Sequence, residues 1–353
     1  MAWKKEVFGT LPDGRTADLY TLTNGNGVSA SFTSLGGIWL KMMVPDRQGK
    51  LADVLLGYDS PEKCMTYPGH LGELVGRNAN RIGGASFCLD KVTYVLAVNS
   101  GSANNLHSGP NYYRDRLWEA EAEETELGTR VSFSLSSPDG DQGYPGNAEI
   151  MVSYTLTPDD SLRLDYHMTA DADTIANFTN HAYFNLAGHA SGSALDQRVW
   201  IDADRFTPAD AESIPTGELA AVSGTPMDFT VMKPIGRDIG ADYEQLKFGG
   251  GYDHNWVLNH APGELALSVK AEDDKSGRRM EVFTDLPGVQ FYTANFLDGK
   301  YPGKDGVHYD SRAGYCFETQ YFPDAINKPQ FPSPVLKAGE EYQTTTIYRF
   351  TVK

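Results

Sequence analysis

Apolar and polar residues alternate with a period of two along most of the chain. Val131, Phe133 and Leu135 are separated by serines, and Leu162, Leu164, Tyr166 and Met168 follow the same rule, as do Leu265, Leu267 and Val269. Such a period turns one side of each segment inward, which predicts half-buried antiparallel strands. Pro158-Asp159-Asp160-Ser161 lies between the apolar runs 150–157 and 162–168 and has the chemistry of a turn, so these runs form a hairpin. The segment 344–352, rich in Thr, Tyr and Phe, reads as a closing strand. Helical signals are brief. Ser60 before Pro61 predicts a short helix with a serine cap, and 195–198 and 238–245 are similarly short candidates. Long helices do not separate the strands, so a parallel α/β sheet is not expected. The pattern predicts an all-β fold, a large antiparallel β-sandwich with few short helices. No linker, repeat or low-complexity tract interrupts it, so residues 1–353 are expected to form a single domain. The acidic run 119–126 reads as the solvated face of a strand.

Charge narrows the partners. Lys and Arg total 30 against 47 Asp and Glu, a formal net charge of −17. That balance argues against nucleic acid and against an anionic membrane surface, both of which need basic patches. No apolar run reaches the roughly 18 residues of a membrane span. The opening MAWKKEVFGT has no apolar stretch after its lysines, so no secretory signal is expected and the protein is assigned to the cytoplasm. Cys64, Cys88 and Cys316 show no zinc spacing and are odd in number, which predicts free buried thiols in a reducing compartment. The sequon-like Asn177-Phe178-Thr179 then carries no meaning. Loops for phosphate or dinucleotide binding, the G-x-S-x-G elbow and H-E-x-x-H are all missing. The eight histidines form no tight ligand pair, although His107, His181 and His254 are candidates to converge. Neither a metal nor a cofactor is expected.

Six polar segments break the alternation, and functional groups favour such places on a rigid scaffold. GRNANRIG (76–83) packs two arginines and two asparagines into six residues. It is either a fork of donors aimed at ligand hydroxyls or a structural network holding a turn. NNLHSG (104–109) and NHAYFNL (180–186) each carry one histidine, and Asn180 and Asn185 flank His181 as amides able to orient its ring. In GYDHN (251–255), Asp253 either accepts hydroxyl bonds or caps a turn. PGVQFY (287–292) contributes Gln290, and CFETQ (316–320) places Glu318 among apolar neighbours. A carboxylate on an inward strand face is costly unless it pairs or works. Tyr144, Trp256 and Phe291 are either sugar-stacking platforms or core.

These segments, with DGDQGYPGN (139–147), GTPMDF (224–229), PGVQFYTANFLDG (287–299) and FETQYFPDAINKP (317–329), run in the order found in aldose 1-epimerases, the galactose mutarotase family. The chain resembles that family over about residues 20–350. The resemblance implies the galactose mutarotase-like supersandwich and a small-molecule aldose as partner, with the protein a monomer or homodimer. It implies that His181 is the general acid, Glu318 the general base and His107 a second site histidine near the ring oxygen. Asn80, Arg81, Asp253 and Gln290 match substrate-contacting positions. Asn78 and Ser108 depart from the family pattern, at positions that bear on substrate preference.

The implied reaction suits the residues. Anomers of an aldose interconvert through the open-chain aldehyde. One base must take the C1 hydroxyl proton and one acid must protonate the ring oxygen, each worth roughly 10²–10⁴-fold. Three other readings remain. A non-catalytic carbohydrate-binding sandwich would lack His181 or Glu318. A glycosidase or lyase on a similar sandwich would work with two carboxylates and cleave a disaccharide. A sugar-phosphate epimerase would add basic residues to the pocket, and only Arg77 and Arg81 cluster.

Overall fold

A computed structural model describes residues 2–353. Three large antiparallel sheets form it, with several two-stranded ribbons. The first is a meander of five strands in chain order: Ala2–Thr10, Thr16–Thr23, Ser29–Thr33, Trp39–Pro45 and Leu51–Asp53. The second has nine strands. Its centre is the hairpin Ala148–Leu156 and Ser161–Ala170, whose residues 156 and 162 face each other across the predicted turn. The closing strand Glu341–Val352 inserts between Ser161–Ala170 and Arg278–Thr284. The alternation of apolar residues puts Tyr154, Leu164 and Tyr348 into one continuous core that reaches into all three sheets. Among the described residues no helix is long and apolar enough to cross a membrane.

The third sheet carries the chemistry. Its order is Ala220–Ala221, Arg205–Thr207, Asp253–Val257, Gly288–Tyr292 and Cys316–Gln320. Directly opposed residues share a face, and the register sorts this sheet into two chemistries. One face presents Phe206, Trp256, Val289, Phe291 and Phe317 to the core. The other places Asp253, Tyr292 and Cys316 in one row and Asn255, Gln290 and Glu318 in the next. All these side chains except half-buried Asp253 are buried, so the second face is a polar surface enclosed within the protein.

Several local expectations are corrected. Helix 61–66 begins as predicted, with Ser60 accepting a bond from the Lys63 amide. Residues 195–198 do not form a helix; Leu195 and Gln197 offer their carbonyls to Gly236 and Ile235, and a strand starts at Arg198. The second helix is Glu244–Gly249, shifted beyond 238–245, because Ile235–Arg237 forms a 3₁₀ turn that ends at Asp238. Leu265 is exposed, since a register shift between Leu267 and Val269 breaks the alternation there. Cys88 is exposed, while Cys64 and Cys316 are buried, and all three are free. The acidic run lies on strand Glu119–Thr125 at an edge of the nine-stranded sheet, with Ala120 and Ala122 against the core and its glutamates toward solvent.

Arg77 settles half of the question posed by GRNANRIG. It is fully buried and donates to the carbonyls of Ser137 (2.9 Å), Pro145 (2.8 Å) and Gly146 (2.9 Å) and to the Ser137 and Thr174 hydroxyls. This cation is a structural clamp on the 137–146 loop. Arg77→Met should lower stability by about 3–5 kcal/mol in urea unfolding, because the carbonyls it serves lose their donor. Near-normal stability combined with lost sugar binding would return Arg77 to the ligand site.

Candidate active site

The polar face of the third sheet forms the floor of a cleft of about 170 Å³, lined by Asn80, Arg81, His107, His181, Asp253 and Glu318. Six of the seven residues singled out in the sequence meet here. Gln290 does not line the cleft. It lies behind Asp253 and donates to its carboxylate at 2.7 Å. His254 does not converge with the other histidines. It projects to the core face beside Phe206, and burial lowers it to about 4. Tyr144, Trp256 and Phe291 are core residues. The aromatic walls of the cleft are Tyr183, Tyr292 and Phe296, which the sequence pattern did not mark.

Backbone geometry fixes the imidazoles. Asn80 and His107 both have positive φ, 61° and 52°, a conformation that costs on the order of 1 kcal/mol or more for such residues. They hold each other there: the His107 amide donates to the Asn80 carbonyl (3.0 Å), and the Asn80 amide donates to His107 Nδ1 (3.1 Å). With Nδ1 accepting, the ring proton of neutral His107 sits on Nε2. His181 follows the two-residue strand Thr179–Asn180, which pairs with Leu74–Val75. Its amide donates to the Glu73 carbonyl, and its own carbonyl accepts from Gly72. Gly72 is required at that contact, since a Cβ there would lie 2.2 Å from the Trp39 carbonyl oxygen. Asn180 and Asn185 do not orient the ring; they donate to backbone carbonyls of Gly72, Gly192 and Ala313. The partner of His181 Nδ1 is the Cys316 sulfur at 3.4 Å. Burial pushes that thiol well up, and a thiol in this place can donate to Nδ1 or accept from Nδ1–H.

His181 Nε2 and Glu318 Oε1 are 3.7 Å apart, both side chains nearly inaccessible to solvent, and Glu318 Oε2 has no hydrogen-bond partner. Burial and the neighbouring Asp253 carboxylate push Glu318 well above the usual carboxylate range, while Arg81 opposes them. Burial, aided by His70, pulls His181 down to about 3. Burial, with His70, His181, Arg81 and Arg114 adding to it, also drives His107 down. Burial thus favours the uncharged form of each group: a carboxylic acid beside two neutral imidazoles. His107, His181 and Glu318 are the one trio among the described residues with ligand atoms close enough for a metal ion, within 4.8 Å. The backbone amide on His107 Nδ1 leaves its Nε2–H facing the cleft, which suits donation to an oxygen atom better than ligation.

The aldose 1-epimerase family model matches residues 18–349. The chain belongs to the aldose 1-epimerase family. It is 42% identical to a galactose mutarotase of Bos taurus over 99% of this chain and 98% of the relative. It is 37% identical to an aldose 1-epimerase of Escherichia coli (strain K12), over 98% of each. A galactose 1-epimerase structure from Lactobacillus acidophilus superposes with a TM-score of 0.87 at 25% identity, covering 99% of both chains. The two departures from the family pattern touch each other: the Asn78 amide donates to the Ser108 hydroxyl, which donates to the Asn78 carbonyl. Neither lines the cleft.

The flanking charges should move the Glu318 titration in opposite directions. Asp253→Asn removes a repelling carboxylate, so Glu318 ionises at lower pH. Arg81→Met removes the stabilising cation, so Glu318 ionises at higher pH. Carboxyl ¹³C NMR titration of each variant reads the shift; equal or reversed shifts would contradict the electrostatic arrangement.

Proposed function

We propose that Glu318 and His181 act as the base and acid of aldose anomer interconversion, with galactose and glucose as substrates. The enzyme interconverts the α and β anomers of an aldose. The observation that carries the assignment of roles is the partnerless Glu318 carboxyl beside His181 in a buried polar cleft. In the reacting complex the Glu318 proton has passed to His181 Nε2, so Glu318 is ionised and His181 carries two ring protons. Glu318 takes the proton of the C1 hydroxyl, and His181 Nε2 delivers one to the ring oxygen. The C1–ring oxygen bond breaks as the C1 carbonyl forms. Both protein groups are then neutral, the forms that their burial favours, so desolvation assists ring opening. Rotation about C1–C2 and reversal of both transfers closes the ring on the other face.

The remaining residues bind. His107 donates Nε2–H near the ring oxygen. Asn80, Arg81 and Asp253 contact hydroxyls, and Gln290 holds Asp253. Among the described residues Arg81 is the one fixed cation lining the cleft, and it faces two carboxyl groups, which supports a free sugar over a sugar phosphate. The unit acts as a single domain, as a monomer or homodimer. Its free thiols suit a reducing compartment, and the cytoplasm is the proposed location.

Polarimetry of freshly dissolved α-galactose and α-glucose should show catalysed mutarotation without cleavage of disaccharides. Glu318→Gln and His181→Asn should each lower kcat by about 10²-fold or more, with smaller changes in KM. The double variant should lose less than the product of the two. A single variant with near-normal kcat would show that its residue does not carry the proposed role.

A further inference from the structure

A third imidazole lines the cleft that none of the roles above uses. The His70 ring centroid lies 5.1 Å from that of His107 and 5.8 Å from that of His181. Unlike those two, it is hydrogen-bonded to a carboxylate. His70 Nδ1 donates to Glu73 Oε2 at 2.7 Å, and the other Glu73 oxygen accepts from Arg114. Tyr112 packs edge-on against the His70 ring and lies beneath the Arg114 guanidinium. Glu73 is buried; of one apolar cluster, Leu71 is near it in the sequence and Cys64 is in charge contact with it. Burial alone would raise it, yet His70 and Arg114 hold it down to about 2.

A buried carboxylate between two basic groups is weak evidence for stability, since desolvation offsets much of the attraction. Its clear structural effect is on His70. With Nδ1 tied to Glu73, the ring cannot rotate freely, and Nε2 lies on the opposite side of the ring. Among the described residues Nε2 has no hydrogen-bond partner, and the side chain keeps 19% of its exposure, on the cleft. This is the arrangement of an oriented imidazole waiting for a partner. Neutral, Nε2 accepts a hydrogen bond; protonated, it donates one. A sugar hydroxyl satisfies either state.

We propose that His70 is a substrate-contacting, specificity-determining residue, aimed by the Glu73–Arg114 pair at one non-anomeric hydroxyl of the sugar. The proposal rests on the aldose reading above. His70 binds and does not carry the transferred protons, which pass between Glu318, His181 and the substrate. Glu73 and Arg114 are positioning residues that act through it. Removing a hydroxyl that this ring contacts leaves a held polar atom unpaired, which is how a site rejects the analogue lacking that hydroxyl.

The test is a panel of the 2-, 3-, 4- and 6-deoxy analogues of galactose, assayed with wild type, His70→Phe, His70→Gln and Glu73→Gln. For wild type, kcat/KM should fall by at least about five-fold for one analogue relative to galactose. In His70→Phe that discrimination should shrink to within about two-fold, with the loss on galactose itself falling on KM rather than kcat. His70→Gln should keep part of it, and Glu73→Gln should weaken it with His70 still present. His70→Gln also supplies the comparison should His70→Phe fold poorly. Identical deoxy-sugar ratios in wild type and the folded His70 variant would overturn the proposal. Failure of wild type to mutarotate any aldose would instead sink the functional reading on which it rests.

Discussion

Glu318 stands in the middle of a buried strand with one oxygen 3.7 Å from an imidazole and the other bonded to nothing. A carboxyl group in that position cannot ionise cheaply, and most of what surrounds it manages that constraint. The sheet beneath it is divided into an apolar face for the core and a polar face for the cleft. Asp253 resists its ionisation and Arg81 assists it. Gln290, opposite Glu318 in register, is turned to Asp253 and leaves the base free. Gln290 Oε1 and the Asn255 amide in the same row are also unpaired, and Glu318 is the ionisable member, with Arg81 as the nearby compensating charge.

Tautomer control is the second layer. A neutral imidazole offers either nitrogen, and the fold decides which. His107 receives the Asn80 amide on Nδ1 at the expense of two left-handed residues. His181 meets the Cys316 thiol at Nδ1. The His107 ring then presents Nε2–H to the cleft. His70 is held in the opposite sense, with its Nδ1–H on Glu73. The three imidazoles thus hold different bonding states in one small space, and each state is set by a backbone amide, a thiol or a carboxylate outside the cleft.

The sheet architecture was legible because the two-residue period survives wherever a strand has one wet and one dry side, as in Ser161–Ala170. It failed at Leu265, where a register shift reverses the faces, and for the short helices, whose few residues carry too little period to outweigh tertiary pairing. Asn80, Arg81, His107, His181, Asp253 and Glu318 were legible because each breaks the β pattern inside a recognisable segment. Arg77 shared that segment and that residue type, and only the backbone decides that it points away. His70 and Glu73 were invisible because their pairing depends on a non-helical turn and on Arg114, 41 residues away in sequence from Glu73. Gln290 was legible as a neighbour of the site, but its place behind Asp253 depends on strand register.

Neutron diffraction from the ligand-free enzyme at near-neutral pH would locate the protons directly. A protonated Glu318 facing a His181 that carries a single ring proton is the predicted result. An ionised Glu318 beside a doubly protonated His181 in the empty cleft would contradict the claim that burial holds both groups neutral until the sugar binds.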